Sequence, residues 1–164
     1  NAVIQEPIFD PKIIYKGAFI MIAIGCDHAG CEMKKYIIDT LSEKGFEFVD
    51  MGCDGSPCDY PVIAESVCNE VLSGKCEKGI LICGTGIGMS IAANKIKGIR
   101  AALCSDSFST KFTRLHNDTN VMCMGARTLG IGLGAELAEI FLTTGFEGGR
   151  HQRRIDMITE LENK

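Results

Sequence analysis

Gly79-Ile80-Leu81-Ile82-Cys83-Gly84-Thr85-Gly86-Ile87-Gly88-Met89-Ser90 decides the fold of this chain. A short continuous apolar run meets a turn rich in glycine, and an apolar segment then resumes toward Ala93. The stretch carries four glycines, a Thr and a Ser between Gly79 and Ala93, so it reads as strand, turn and helix start rather than a membrane span. No other apolar stretch approaches the roughly 18 residues a bilayer requires.

Similar units lie on either side. Apolar strands are expected over Phe19–Gly25, Phe46–Asp50, Gly79–Cys83, Ile99–Cys104 and Asn120–Gly125. Helices are expected over Ala29–Lys44, Pro61–Leu72, Ile87–Ile96, Ser105–Arg114, Thr128–Leu142 and His151–Glu162. Met33, Ile37 and Leu41 repeat every fourth residue, Val62, Val67 and Val71 suggest one apolar face, and Ile155, Ile158 and Leu161 another. Continuous apolar strands alternating with helices predict a parallel sheet buried on both faces, with right-handed crossovers and a doubly wound α/β architecture. The 164 residues fit one domain. Residues 1–18, with two prolines and no periodicity, read as a leader or an added extension, with Asn1-Ala2 resembling a protease scar. The domain proper is expected over residues 19–164.

Lys and Arg number 17 against 21 Asp and Glu, a net charge of −4, which gives no basic footprint for nucleic acid. The nine cysteines form no CxxC pair, and an odd count without a visible secretory signal argues against a disulfide framework. Reduced thiols packed as small hydrophobes, in a cytoplasmic protein, is the reading that follows.

In such sheets ligands bind beyond the carboxyl ends of the strands. The first strand ends at Cys26-Asp27-His28, the third at Cys83 and the glycine loop, the fourth at Ser105-Asp106, and the fifth at Gly125-Ala126-Arg127. His116 and Asn117, which close the following helix, are expected at the same polar edge. Loops are wet, so one polar strand end is unremarkable; several together carrying Asp, His, Cys and Arg point to a site. The loop is neither a dinucleotide fingerprint, since Met89 stands where a third glycine is needed, nor a P-loop, since no Lys-Ser or Lys-Thr follows. Its amides can still cradle a phosphate or an oxyanion. Cys83, directly before it, would have its thiol pKa lowered there and could serve as nucleophile or base. Arg150 and Arg154, four apart at a helix start, suit a phosphate or carboxylate that offsets their unfavourable dipole position. Cys26, His28 and Cys31 lack standard metal spacing and a fourth ligand, so no metal is expected.

Five motifs occur in order: Gly25-Cys26-Asp27-His28-Ala29-Gly30, Asp59-Tyr60-Pro61, Ile82 to Gly88, His116-Asn117-Asp118-Thr119-Asn120-Val121, and Gly148-Gly149-Arg150-His151-Gln152-Arg153-Arg154. From about Met21 to the C-terminus, the set resembles ribose-5-phosphate isomerases of the B type, in the family shared with galactose-6-phosphate isomerase subunits. The resemblance implies a Rossmann- or flavodoxin-like domain with a five-stranded parallel sheet and flanking helices. It implies interconversion of D-ribose 5-phosphate and D-ribulose 5-phosphate through an enediolate, in the non-oxidative pentose phosphate pathway, with no metal and no cofactor. Cys83 matches the base and His116 the acid/base that opens the furanose ring; Thr85 and Asp27 join them as catalytic residues. Gly84, Thr85, Gly86, Ile87 and Gly88 match the anion hole. Asp27, His28, Tyr60 and Asn117 match sugar contacts, and Arg127, Arg150 and Arg154 match phosphate contacts. In the family two subunits share each site, with His116 and the arginines facing the partner's Cys83, so a homodimer is implied and pairing into a tetramer is left open. The partner expected is a small sugar phosphate, not nucleic acid or membrane. Galactose-6-phosphate isomerase, a non-catalytic flavodoxin-like sensor and a cysteine hydrolase using Cys83 and His116 are the alternatives.

Overall fold

The computed structural model describes residues 21–164; the expectation for residues 1–18, and the start of the first strand at Phe19, lie outside them. Five strands alternate with helices: β1 (Met21–Cys26), α1 (Cys31–Ser42), β2 (Glu47–Asp50), α2 (Tyr60–Leu72), β3 (Lys78–Cys83), α3 (Ile87–Ala93), β4 (Ala101–Leu103), α4 (Ser107–Asn117), β5 (Val121–Gly125), α5 (Ile131–Thr143) and α6 (Arg150–Glu162). All pairings are parallel and the sheet order is β2-β1-β3-β5-β4. The chain therefore runs outward from β1 to β2, then crosses to β3 on the other side. That reversal makes a crevice between the carboxyl ends of β1 and β3, where Cys26 pairs with Ile82.

The pleat of β3 explains why its sequence reads as an unbroken apolar run. Ile80 and Ile82 join one core with Met33, Ile37 and Leu41 of α1 and Leu137, Ala138 and Phe141 of α5. Leu81 and Cys83 join the opposite core with Ala64, Val67 and Cys68 of α2 and Met89 and Ala93 of α3. Both faces are covered, so the positions from Gly79 to Cys83 are all apolar or glycine, and the one charged residue, buried Lys78 at the strand's start, is paired with Glu77. Burying one such Ile or Leu contributes about 1.5–3 kcal/mol. Gly79 is needed where α2 crosses: a Cβ there would stand 2.8 Å from Val67 Cγ1.

Some sequence expectations give way. Val62 is exposed and Val71 half-buried, because α2 buries Ala64, Val67 and Cys68 instead. Ile158 and Leu161 are exposed; α6 buries only His151 and Ile155, although at its end Glu162 Oε1 accepts from the Gly98 amide at 3.1 Å. β4 shrinks to three residues at the sheet edge. Among the described residues no helix is long and apolar enough to cross a membrane.

Candidate active site

The carboxyl ends of β1, β3 and β5 meet at one edge. Cys83, the last residue of β3, is 5% exposed, and its sulfur accepts a hydrogen bond from the Gly86 amide at 3.1 Å. Gly86 reaches that position with φ of 78°, and a Cβ on it would stand 2.5 Å from Leu103 Cδ1 and 2.8 Å from the Met124 carbonyl carbon. Only glycine fits both the angle and the space. The Ile87 amide donates to Thr85 Oγ1 at 3.3 Å, fixing the next turn of the loop. Tyr60, at the start of α2, lies against Gly88, where a Cβ would come within 2.7 Å of its ring.

Neighbouring strands supply the other walls. The Asp27 amide donates to the Ile82 carbonyl at 3.0 Å, and Asp27 Oδ1 accepts from the Ala29 amide at 2.9 Å. Asp27 is buried and His28 exposed beside it. From β5, the Ala126 amide donates to the Cys83 carbonyl at 2.8 Å and the Arg127 amide to the Gly84 carbonyl at 3.0 Å. Arg127 thereby lies over the loop: a Cβ on Gly84 would stand 3.5 Å from its Cδ and 3.6 Å from a guanidinium nitrogen. Asp27, His28, Tyr60, Cys83, the loop from Gly84 to Gly88, and Arg127 thus belong to one edge.

His116 and Asn117 do not join them, which corrects the sequence expectation. A helix leaving the carboxyl end of β4 must travel back before β5 can start parallel to it. The 11 residues of α4 cover about 16 Å. Asn117 therefore sits at the amino edge, its carbonyl accepting from Arg100 Nε at 3.0 Å just ahead of β4. Asp118 holds this turn with φ of 44°, bridging Arg114 at 2.9 Å and Arg100 at 3.1 Å.

Sequence reasoning gave no role to two residues at this second edge, Glu147 and His151. The His116 and His151 rings stack at 4.0 Å, only 9° from parallel, and Phe112 meets His116 edge-on. Glu147 Oε2 lies 3.7 Å from His116 Nε2 and 3.4 Å from His151 Nε2. The i,i+4 spacing of Glu147 and His151 was the available signal. His151 is 4% exposed, and burial pushes its pKa below the usual histidine value, helped by the nearby charges of His116 and Arg150. Arg150 opens α6 here with Arg154 one turn on. The His116, Glu147 and His151 ligand atoms lie within 4.8 Å of one another, a set that can reach one metal ion. The parallel stack, however, aims the two imidazole lone pairs side by side rather than at one point, and Arg150 Nε already faces His151 Nε2 at 3.4 Å.

One edge therefore carries a thiol with an amide donor, a glycine loop and the polar side chains of Asp27, His28, Tyr60 and Arg127, and the other carries a histidine stack with arginines. A family model described as Ribose/Galactose Isomerase matches residues 22–158. The chain belongs to that family. It is 46% identical to ribose-5-phosphate isomerase B of Escherichia coli over 144 residues, 87% of this chain and 97% of that one. Among solved structures, ribose-5-phosphate isomerase B of Clostridium thermocellum superposes with a TM-score of 0.86 at 43% identity, covering 88% of this chain and 98% of the other. That of Mycoplasma genitalium, solved with bound ribulose-5-phosphate, gives 0.83 at 40% identity, covering 88% and 97%. These likenesses make this Ribose/Galactose Isomerase family member a sugar-phosphate isomerase of the ribose-5-phosphate isomerase B kind.

Proposed function

We propose that this chain interconverts D-ribose 5-phosphate and D-ribulose 5-phosphate through an enediolate, with Cys83 as the base. The hydrogen bond from the Gly86 amide to the Cys83 sulfur carries this reading, because a thiolate poised to take a proton needs a donor aimed at it. Cys83 removes the C2 proton of the open-chain aldose and returns it at C1. The charge then moves onto the carbonyl oxygen, for which the loop from Gly84 to Gly88 and Thr85 supply donors. Asp27, His28 and Tyr60 orient the hydroxyls, with Asn117, while Arg127, Arg150 and Arg154 take the phosphate. Protein groups cover each of these steps, and the reading assigns no metal or cofactor.

Ring opening by His116 requires a second copy of the chain, since His116, Asn117 and the α6 arginines stand at the edge opposite their own Cys83. A twofold pair would place one copy's histidine edge over the other's thiol edge, completing two equal sites. Exposed Ile87 and Ile91 on α3, Leu103 on β4 and Phe108 on α4 leave an apolar strip near β4 that such a partner would cover. The nine free thiols suit a reducing, cytoplasmic setting.

Five- and six-carbon aldose phosphates turned over side by side in heavy water test the assignment. Ribose 5-phosphate is expected to isomerise fastest and to exchange its C2 proton. Faster turnover of a six-carbon phosphate overturns the substrate, and isomerisation without a C2 proton abstraction overturns the enediolate route.

A further inference from the structure

The first three helices hand the chain on through glycine. Gly45 after α1, Gly74 after α2 and Gly98 after α3 all take positive φ, between 76° and 91°. The end of α4 differs. Its C-cap is Asp118, left-handed with φ of 44° and ψ of 46°, and among the described residues no other non-glycine residue has positive φ. Helix ends of this shape ordinarily select glycine, because a Cβ is strained there. Strain of this kind persists only where the surroundings over-determine it, and here the carboxylate does so.

That carboxylate joins two arginines from different parts of the fold. Oδ1 accepts from Arg114 Nη1 at 2.9 Å, one turn back in α4, and Oδ2 from Arg100 Nη2 at 3.1 Å, just ahead of β4. Each arginine then holds backbone at the histidine edge. Arg100 Nε donates to the Asn117 carbonyl at 3.0 Å and Nη2 to the Asp118 carbonyl at 2.7 Å, which satisfies carbonyls left orphaned at the helix end. Buried Arg114 sends Nε to the Thr144 carbonyl at 3.2 Å, at the close of α5. The Glu147 amide donates to the Leu115 carbonyl at 3.0 Å, so the loop leading to His151 is tied to the same turn of α4. The backbone is thus held on both sides of His116.

We propose that Asp118 is a positioning residue for ring opening: through Arg100 and Arg114 it holds the end of α4 so that the His116 imidazole meets the furanose ring of ribose 5-phosphate. It acts through the arginines, not on the substrate, and the inference rests on the isomerase reading and the part His116 has in it. Opening the ring takes the proton from the C1 hydroxyl, breaks the bond from C1 to the ring oxygen, and leaves an aldehyde at C1 as that oxygen gains a proton to become the C4 hydroxyl. Ribulose 5-phosphate has no such step. Its C5 oxygen carries the phosphate, so no hydroxyl remains to close a five-membered ring on C2. Removing its C1 proton calls on Cys83 and the glycine loop but not on His116.

That difference supplies the test, with Asp118→Asn and Asp118→Gly. Both residues accept the left-handed conformation, so the helix end survives and the carboxylate is lost. In heavy water, ribose 5-phosphate turnover is expected to fall up to about 10²-fold, the cost of misplacing a reacting group by about 1 Å, while ribulose 5-phosphate exchanges its C1 proton at the wild-type rate. The chain has three histidines, so their ring signals are separable by NMR. The His116 signal is expected to move as its stack on His151 loosens, and the His28 signal to stay. Equal loss of turnover and exchange overturns the positioning role, and so does unchanged turnover in either folded variant. A wild-type chain that exchanges no C1 proton overturns the isomerase reading instead. The His116 signal then decides the clamp, and one that does not move in the variants overturns it.

Discussion

The Gly86 amide points at the Cys83 sulfur from 3.1 Å, so the residue that opens the loop and the glycine that turns it form one unit. Replacing Cys83 by Ala removes the proton acceptor and leaves the loop. The expected outcome is a fall in kcat of about 10²–10⁴-fold, the usual worth of a positioned acid/base, with binding of ribulose 5-phosphate retained. Cys83→Ser keeps the volume but supplies a hydroxyl that does not ionise near neutral pH, so it should lose proton exchange at C2 as well. Deuterium incorporation followed by NMR checks both, and a substantially active Cys83→Ala enzyme removes Cys83 as the base.

The other half of that unit is steric. Gly86→Ala must hold a Cβ at φ of 78° and push against Leu103 and the Met124 backbone. Strain of this kind costs about 1–3 kcal/mol. Thermal unfolding should therefore shift downward, and kcat should fall because the amide leaves the sulfur. Gly45 is the control: its φ is 91° but nothing lies within 4 Å of an added Cβ. Gly45→Ala should cost only the backbone term and leave kcat untouched.

What sequence conveys about this molecule follows from how local the governing physics is. The strand, loop and helix around Cys83 are legible because burial on both faces keeps β3 free of polar side chains from Gly79 onward and only glycine tolerates the Gly86 geometry. The site is half legible. Polar residues at the ends of β1, β3 and β5 meet because parallel strands share an edge. His116 does not, because α4 must recross the sheet before β5 begins, and its length carries the histidine to the opposite side. The α6 stripe of Ile155, Ile158 and Leu161 shows the converse gap: helical spacing marks an apolar face but says nothing of what covers it.

Arg150 stands at the histidine edge with its guanidinium beside His151. If it takes the substrate phosphate, Arg150→Ala should weaken binding of phosphorylated sugars about 10- to 100-fold, the worth of one charge-assisted hydrogen bond or a pair. Inhibition by ribose and by ribose 5-phosphate, compared in both proteins, reads the effect. An equal loss for the free sugar contradicts a phosphate role.

The buried His151 links stability to pH. Burial, with the charges of His116 and Arg150, lowers its folded pKa, while Glu147 opposes the shift. Unfolded, the ring takes a proton near its ordinary value of about 6.5. Below that pH the unfolded state holds more protons than the folded one, so stability falls as the solution is acidified and is fully present above it. Melting temperature should drop between pH 7.5 and pH 5.5 in the wild type, and by less in His151→Gln (both values chosen about one unit either side of the free imidazole pKa). An identical drop in both proteins assigns the acid sensitivity to other groups.

The separation of His116 from Cys83 gives the most direct test of a shared site. Cys83→Ala and His116→Ala chains should each be inactive in ring-closed ribose 5-phosphate turnover. Mixed in equal amounts under conditions that exchange subunits, they form hybrids in which the wild-type Cys83 of one copy faces the wild-type His116 of the other. The second site of each hybrid carries both lesions. With half the dimers hybrid, about one quarter of wild-type activity should return, a consequence of twofold pairing alone. The double variant Cys83→Ala/His116→Ala, mixed with wild type, should restore nothing by this route, since no hybrid site then holds both intact residues. Activity that stays at the level of the separate variants, with subunit exchange verified by native mass spectrometry, means that one chain builds its own site and that α4 must move to deliver His116.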